Sequence, residues 1–299
     1  MRLLTRTHLA DAERAAVLDL IGRATDHDDR SPLSEQGMLH VRPAPVPGVT
    51  HLLATADSLA TADDLCGYAQ LDARPGGAPA AELVVAPAVR RRGHGGALLD
   101  AALAAQPSVR VWAHGVLPGA AELAASRGLE PVRELLKLGR ALQADDDFDT
   151  RLPPGYTLTT YRPQDATQWL TVNAAAFADH PEQGRMTLTD LREREAEPWF
   201  DPAGLFLVRD EQGRLAASHW TKVEDGVGEV YVVAVAPDHQ GLGLGRSITA
   251  IGLAHLREMG LSRVELYVDG DNSAAIATYR AQGFRTLTRD VQYAAPMSR

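Results

Sequence analysis

Between residues 165 and 179 the apolar side chains Trp169, Leu170, Val172 and Phe177 recur at helical spacing, and 187–197 opens on Thr-x-x-Asp, a capped helix start. The period then changes. Segments 204–209, 215–223 and 228–235 are short apolar or alternating runs rich in Val, Leu, Tyr and Trp, which predicts three consecutive strands. Segment 245–259 predicts a strong helix, 263–268 a strand, 272–282 a helix and 285–293 a final strand. Two helices, a strand meander and a helix-strand-helix-strand tail make an α/β unit. The first half follows the same plan with a weaker last helix.

The halves also match residue by residue. Val85-Ala86-Pro87 followed by Arg90-Arg91-Arg92-Gly93-His94-Gly95 is echoed by Val235-Ala236-Pro237 followed by Gln240-Gly241-Leu242-Gly243-Leu244-Gly245, at an offset of 150. Ser34-Glu35-Gln36-Gly37 parallels Pro181-Glu182-Gln183-Gly184 at 147, and Ser126-Arg127-Gly128-Leu129 parallels Ala281-Gln282-Gly283-Phe284 at 155. Blocks that keep their order with small slips in spacing indicate a duplicated unit. Segment 141–154, acidic and ending in paired prolines, is the expected solvated linker between domains 1–140 and 155–299.

Composition narrows the class. The chain has 299 residues, 45% of them hydrophobic and 23% charged, which suits two ordinary globular domains. A net charge of −9, spread over both halves, argues against a nucleic-acid or anionic-membrane partner. Cys66 is the only cysteine, so no intramolecular disulfide forms, and no Cys/His cluster has metal-ligand spacing; no metal is expected. The N-terminal stretch reaches charge too early for a signal peptide and no long apolar run follows, so a cytoplasmic protein is expected.

Candidate chemistry starts at Gln240-Gly241-Leu242-Gly243-Leu244-Gly245-Arg246, which follows a strand and opens a helix. Glycines let successive amides approach a phosphate, and the helix N-terminus adds partial positive charge. Such a cluster alone serves equally as a tight turn. The P-loop lysine is absent, and the loop follows a late strand, where a dinucleotide fold uses its first. With Val233-Ala234-Val235 before it and Asn272-x-x-Ala275-x-x-x-Tyr279-x-x-x-Gly283-Phe284 after it, the segment resembles the acetyl-CoA-binding core of the GCN5-related N-acetyltransferases. Arg90-x-x-Gly93-x-Gly95 matches the same core in the first half.

The resemblance implies two tandem acyl-CoA N-acyltransferase domains, each a mixed, mostly antiparallel sheet flanked by helices. It implies acetyl-CoA as co-substrate, held by Val233, Ala234, Val235, Gln240 through Arg246 (Gly241, Leu242, Gly243, Leu244, Gly245) and Asn272, Ser273, Ala274, Ala275, Ile276 and Ala277. In the first half the corresponding residues are Leu83, Val84, Val85, Arg91, Arg92, Gly93, His94, Gly95 and Gly96. The arginines there read equally as surface charge. The two-copy arrangement is similar to a tandem branch of the family that acetylates the cysteinyl amine of a cysteinyl-glucosaminyl-inositol, a small-molecule acceptor for a monomeric enzyme. The segments that carry this likeness are Ala176-Phe177-Ala178-Asp179-His180-Pro181-Glu182-Gln183-Gly184, Glu229-Val230-Tyr231-Val232-Val233 and Glu265-Leu266-Tyr267-Val268-Asp269-Gly270-Asp271-Asn272.

Amide formation needs an unprotonated amine, a polarised thioester carbonyl and a proton for the departing thiolate. Glu229 is the candidate base, and strand alternation puts it on one face with Tyr231 and Val233. Amides near 233–235 are candidates for the thioester oxygen. The resemblance places Tyr279 near the CoA sulfur as proton donor. It also puts Glu35, Glu182, Lys222, Glu229 and Tyr267 on the acceptor, with Arg285 and His180 as weaker candidates; a first-half Glu35 that reaches the cleft would explain why both halves are kept. Offsets put Pro79, Leu117 and Ala124 where the second half has Glu229, Asn272 and Tyr279. The first half is therefore expected to bind acetyl-CoA weakly or structurally and not to catalyse. Two alternatives stay open: a tandem acetyltransferase for another small amine or peptide, and an acyl-CoA-sensing module without turnover.

Overall fold

The computed structural model describes residues 1–56, 64–75, 77–178 and 183–296. It divides into two compact units, Met1–Leu135 with Arg289–Arg299, and Leu136–Thr288. This is not the cut the sequence suggests. Strand β6 (Glu130–Ala141) carries the chain out of unit 1, and β12 (Arg285–Ala294) brings it back.

In unit 1, β1 (Arg2–Arg6), β2 (Val49–Thr55), β3 (Leu65–Asp72) and β4 (Ala80–Val85) pair antiparallel in sequence. β4 then pairs parallel with β5 (Arg110–Ala113) over Ala80–Glu82, and residues 291–293 of β12 pair antiparallel with β5. Helix α1 (Asp11–Asp28) buries Ala16, Val17, Leu20, Ile21 and Ala24 on one sheet face. Helices α3 (His94–Ala105) and α4 (Ala120–Ala125) cover the other with Leu98, Leu99, Ala102 and Ala124. Short α2 (Glu35–His40) is capped by Ser34, whose Oγ accepts from Gly37 N.

Unit 2 repeats the plan. β7 (Thr157–Thr160), β8 (Leu205–Arg209), β9 (Leu215–Glu224) and β10 (Val227–Val235) are antiparallel, and β10 pairs parallel with β11 (Arg263–Asp269). Helices α5 (Ala166–Ala176) and α6 (Leu188–Glu195) close one face around Trp169, Leu191 and Trp220. α7 (Leu244–Glu258) and α8 (Ser273–Ala281) close the other around Leu253, Leu256 and Ile276. The predicted cap of α6 is present: Thr187 Oγ1 accepts from Asp190 N, and Asp190 accepts in return from Thr187 N.

The expected linker lies inside unit 2 instead. Leu142 N donates to Ser262 O, and Asp146 accepts from Arg140 at 2.5 Å. Phe148 lies under the guanidiniums of Arg140 and Arg257. Apolar residues spaced through the acidic run anchor it, which its charge alone conceals.

Candidate active site

In unit 2 the site begins where two parallel strands part. β10 and β11 share register from Gly228↔Val264 to Val230↔Leu266, while β10 runs on to Val235 against β9. Ala236 N donates to Ala216 O on the β9 side, so alternation turns the amides of Val233 and Val235 into the gap. Past the strand, Gly241 and Gly243 adopt φ of +76° and +84°, and Gly243 is the N-cap of α7. Nothing lies within 4 Å of a Cβ at either position, so it is backbone conformation that requires glycine there. The first-turn amides of α7 have no intrahelical acceptors and lie at the loop. An opening between strands, amides facing it and a helix N-terminus beyond fit the acyl arm and pyrophosphate of acetyl-CoA.

The predicted cofactor residues divide by what their side chains do. Leu244 is 1% exposed and belongs to the core, so only its backbone faces the loop. Leu242 is exposed. Asn272 caps α8, its side chain accepting from Ala275 N at 3.0 Å. Ile276 is buried in the core, whereas Ser273, Ala274 and Ala277 are exposed on the same helix.

Glu229 is half-buried and in register with Lys222 on β9 and Glu265 on β11. The alternation expected along this strand fails at one point. The β9/β10 register shifts between Val230 and Val232, so Tyr231 is the extra residue of a bulge. Val230 packs with Leu253 and Leu256 under α7, Tyr231 and Val232 pack with Trp169 and Trp220 under α5, and Val233 returns to the α7 side. Glu229 and Tyr231 therefore share a face, and Val233 lies on the opposite one. Around Tyr231 the rings of Trp199 and Trp220 stand 5.1 Å away by centroid, and the Lys222 ammonium lies 4.8 Å from the Trp199 centroid.

Tyr279 packs on the α7 side with Phe284, 5.7 Å between centroids, in the cluster that holds Leu266 and Val268. Burial pushes its phenol up to about 12, so the hydroxyl keeps its proton at neutral pH, as a donor requires. Glu229 and Tyr279 thus lie on opposite faces of one sheet, and the parting of β10 from β11 is the passage by which both can meet one ligand.

Unit 1 keeps the frame and omits the groups. Leu129 N donates to Ala124 O just as Phe284 N donates to Tyr279 O, which fixes Ala124 as the counterpart of Tyr279. On β4 the ladder has no bulge; Ala80, paired with Asp72 and Arg110, occupies the place of Glu229, paired with Lys222 and Glu265. The offset that pointed to Pro79 is one residue out because of Tyr231. Gly93, φ +90°, caps α3, while Arg91 takes a left-handed φ of +62° where unit 2 has Gly241. Arg90 is bound to Asp28 by two hydrogen bonds of 2.8 and 2.6 Å and so is structural. A cavity of about 110 Å³ lies in this unit, lined by Leu83, Val111, His114, Leu123 and Ala124 among others. Beside it His114 is held between Asp290 and Glu82, each at 2.9 Å, and Glu82 also accepts from Ser34 N.

Of the expected acceptor residues, Lys222 and Glu229 are cross-strand neighbours and Tyr267 is on the adjacent strand, 47% exposed with Lys137 Nζ 5.6 Å from its ring. Glu35 opens α2 in unit 1. Glu182 and His180 lie outside the described residues, and Arg285 is exposed at the start of β12. Sequence reasoning missed Glu265, paired with Lys137 at 2.5 Å, and also Trp199 and Arg194. The period-2 spacing of Glu265 and Tyr267 was a usable signal; nothing local marks Arg194. Among the described residues no group of side chains is arranged to hold a metal ion, and no helix is long and apolar enough to cross a membrane.

The profile of the acetyltransferase (GNAT) family matches residues 169–284, within unit 2. A mycothiol acetyltransferase of Thermomonospora curvata is 51% identical over 292 residues, covering 96% of this chain and 95% of its own. The mycothiol acetyltransferase of Streptomyces avermitilis is 49% identical over 97% of this chain and 94% of its own. Among solved structures, a tandem GNAT protein from the clavulanic acid biosynthesis pathway superposes with a TM-score of 0.73 at 21% identity, over 99% of each chain. A GCN5-related N-acetyltransferase from Sphaerobacter thermophilus superposes with 0.70 at 19%, over 97% of this chain and 94% of that one. These structural likenesses speak to fold.

Proposed function

The chain belongs to the GNAT acetyltransferase family, in its mycothiol acetyltransferase branch, and on that footing we propose that unit 2 moves the acetyl group of acetyl-CoA to the cysteinyl amine of a cysteinyl-glucosaminyl-inositol in the cytoplasm. That the chain is an acetyl-CoA-dependent N-acetyltransferase follows from the family; the acceptor is the step beyond it. The observation that carries the reading is identity at about half the positions over nearly the whole chain; the presence of Glu229 and Tyr279 in unit 2 supports it.

Acetyl-CoA supplies an activated acyl carbon and a thiolate leaving group. The loop amides from Gly241 to Arg246 bind its pyrophosphate, and the amides of Val233 and Val235 orient the acyl arm and donate to the thioester oxygen. Glu229 takes the proton from the acceptor ammonium, leaving a free amine to attack. As the C–S bond of the tetrahedral adduct breaks, Tyr279 gives its phenolic proton to the sulfur, and the second proton shed by the acceptor nitrogen restores the phenol. Lys222, Tyr267 and Glu182 bind the acceptor, whose hydroxyls and amide call for both donors and acceptors. Unit 1 holds acetyl-CoA at its own glycine turn weakly or structurally and does not turn it over, because Ala80 and Ala124 cannot move a proton.

The test is thiol release from acetyl-CoA with a panel of amines: the cysteinyl glycoside, free cysteine, a polyamine, an aminoglycoside and a peptide. The glycoside should show the highest kcat/KM. Equal rates across the panel would overturn the acceptor assignment while leaving the acetyltransferase standing.

A further inference from the structure

Arg194, on α6, is a guanidinium only 9% exposed inside unit 2, and no step derived above uses it. Its Nε donates to Tyr231 Oη at 2.8 Å and its Nη1 donates to Asp190 O at 3.0 Å, which ties α6 to β10 at the bulge. The bulge turns the Tyr231 ring onto Trp199, and these two rings form the wall beside the Lys222 ammonium, 4.8 Å from Trp199 and 5.8 Å from Tyr231 by centroid. A run of contacts thus leads from the buried guanidinium, through one phenol, to the Lys222 ammonium, which pairs with Glu224 at 3.0 Å and whose cross-strand register partner is Glu229.

Removing a guanidinium from water is costly, and an apolar side chain would pack the same position at less cost. A buried ionic group can offset that cost by fixing the geometry of its neighbours. Cation–π attraction depends on where the ring face lies, and a hydrogen bond to Oη pins the far end of the Tyr231 ring.

We propose that Arg194 is a positioning residue for acceptor binding: through Tyr231 it fixes the aromatic wall that holds Lys222 beside Glu229, and so sets affinity for the amine-bearing acceptor more than the rate of transfer. This rests on the reading of Lys222 as an acceptor-binding residue.

Steady-state kinetics of Arg194→Met, Arg194→Lys, Tyr231→Phe, the Arg194→Met/Tyr231→Phe double variant and Lys222→Met test it, each variant first shown to melt cooperatively. Arg194→Met should raise the acceptor KM about tenfold, the scale of one lost hydrogen bond from a charged donor, with kcat and the acetyl-CoA KM within about twofold. Arg194→Lys should recover part of the loss. Tyr231→Phe keeps the ring in its cluster, so it remains informative where Arg194→Met fails to fold, and should give the same split. The double variant should be no worse than the worse single one. An unchanged acceptor KM in folded Arg194→Met, or effects that multiply in the double variant, would overturn the proposal. If Lys222→Met leaves the acceptor KM unchanged, the acceptor reading of Lys222 fails and the proposal with it; if Lys222→Met raises it and Arg194→Met does not, the proposal alone fails.

Discussion

Glu229 and Tyr279 are separated by the thickness of a sheet, and one inserted residue arranges the site between them. Glu229 and Tyr231 share a face as regular alternation requires, and Tyr231, as the extra residue of the bulge, turns Val233 to the other side. That bulge was not legible in the sequence. Buried and half-buried residues still alternate through it, so the pattern of side chains continues as though the strand were regular. Glu229→Gln should lower kcat by at least about a hundredfold with a smaller effect on the acetyl-CoA KM, as expected for loss of a general base. Tyr279 stays protonated because burial holds its phenol near 12. Its ionisation therefore adds no fall in kcat between pH 7 and 10, and a pH profile whose alkaline limb moves in Tyr279→Phe would contradict that.

At the scale of elements, most helices and strands of unit 2 followed from the hydrophobic pattern to within a residue or two; α5 ends three residues before its expected end, and β8 and β9 are buried on both faces and read as apolar runs. β7 did not follow from it. Its residues Thr157, Leu158, Thr159 and Thr160 are all exposed, so no hydrophobic period announces it and only pairing with β8 makes it a strand. The glycine loop was legible as a motif, and its φ values say why: Gly243→Ala should cost about 1–2 kcal/mol of stability and raise the acetyl-CoA KM. Gly213→Ala, at a turn with φ +76°, should cost as much in urea unfolding yet leave that KM unchanged. In unit 1, burial alone would lower the His114 pKa, but hydrogen bonds to Asp290 and Glu82 raise it to about 10 from 6.5. The stability this gives is complete below pH 6.5 and declines as pH rises to about 10. Urea unfolding of the protein should show that decline, and His114→Gln should lack the corresponding slope.

For the whole molecule, duplication was legible from the offsets, and the place to cut it was not. A boundary at 150 would follow the repeat, yet residues 289–299 return to unit 1 and the end of β6 belongs to unit 2, with Leu138 fully buried in its core. A fragment of residues 155–299 should therefore melt less cooperatively and at lower temperature than one of residues 136–288, as calorimetry can show. Matching places in the two units hold different residues: the same helix-ending hydrogen bond closes on Tyr279 in one and Ala124 in the other, and the same ladder position holds Glu229 or Ala80. The direct measurement is thiol release from acetyl-CoA with the cysteinyl glycoside by the Glu229→Gln/Tyr279→Phe double variant of the full chain. Transfer confined to unit 2 predicts turnover at the uncatalysed background; turnover near the unsubstituted rate would show that unit 1 performs the reaction.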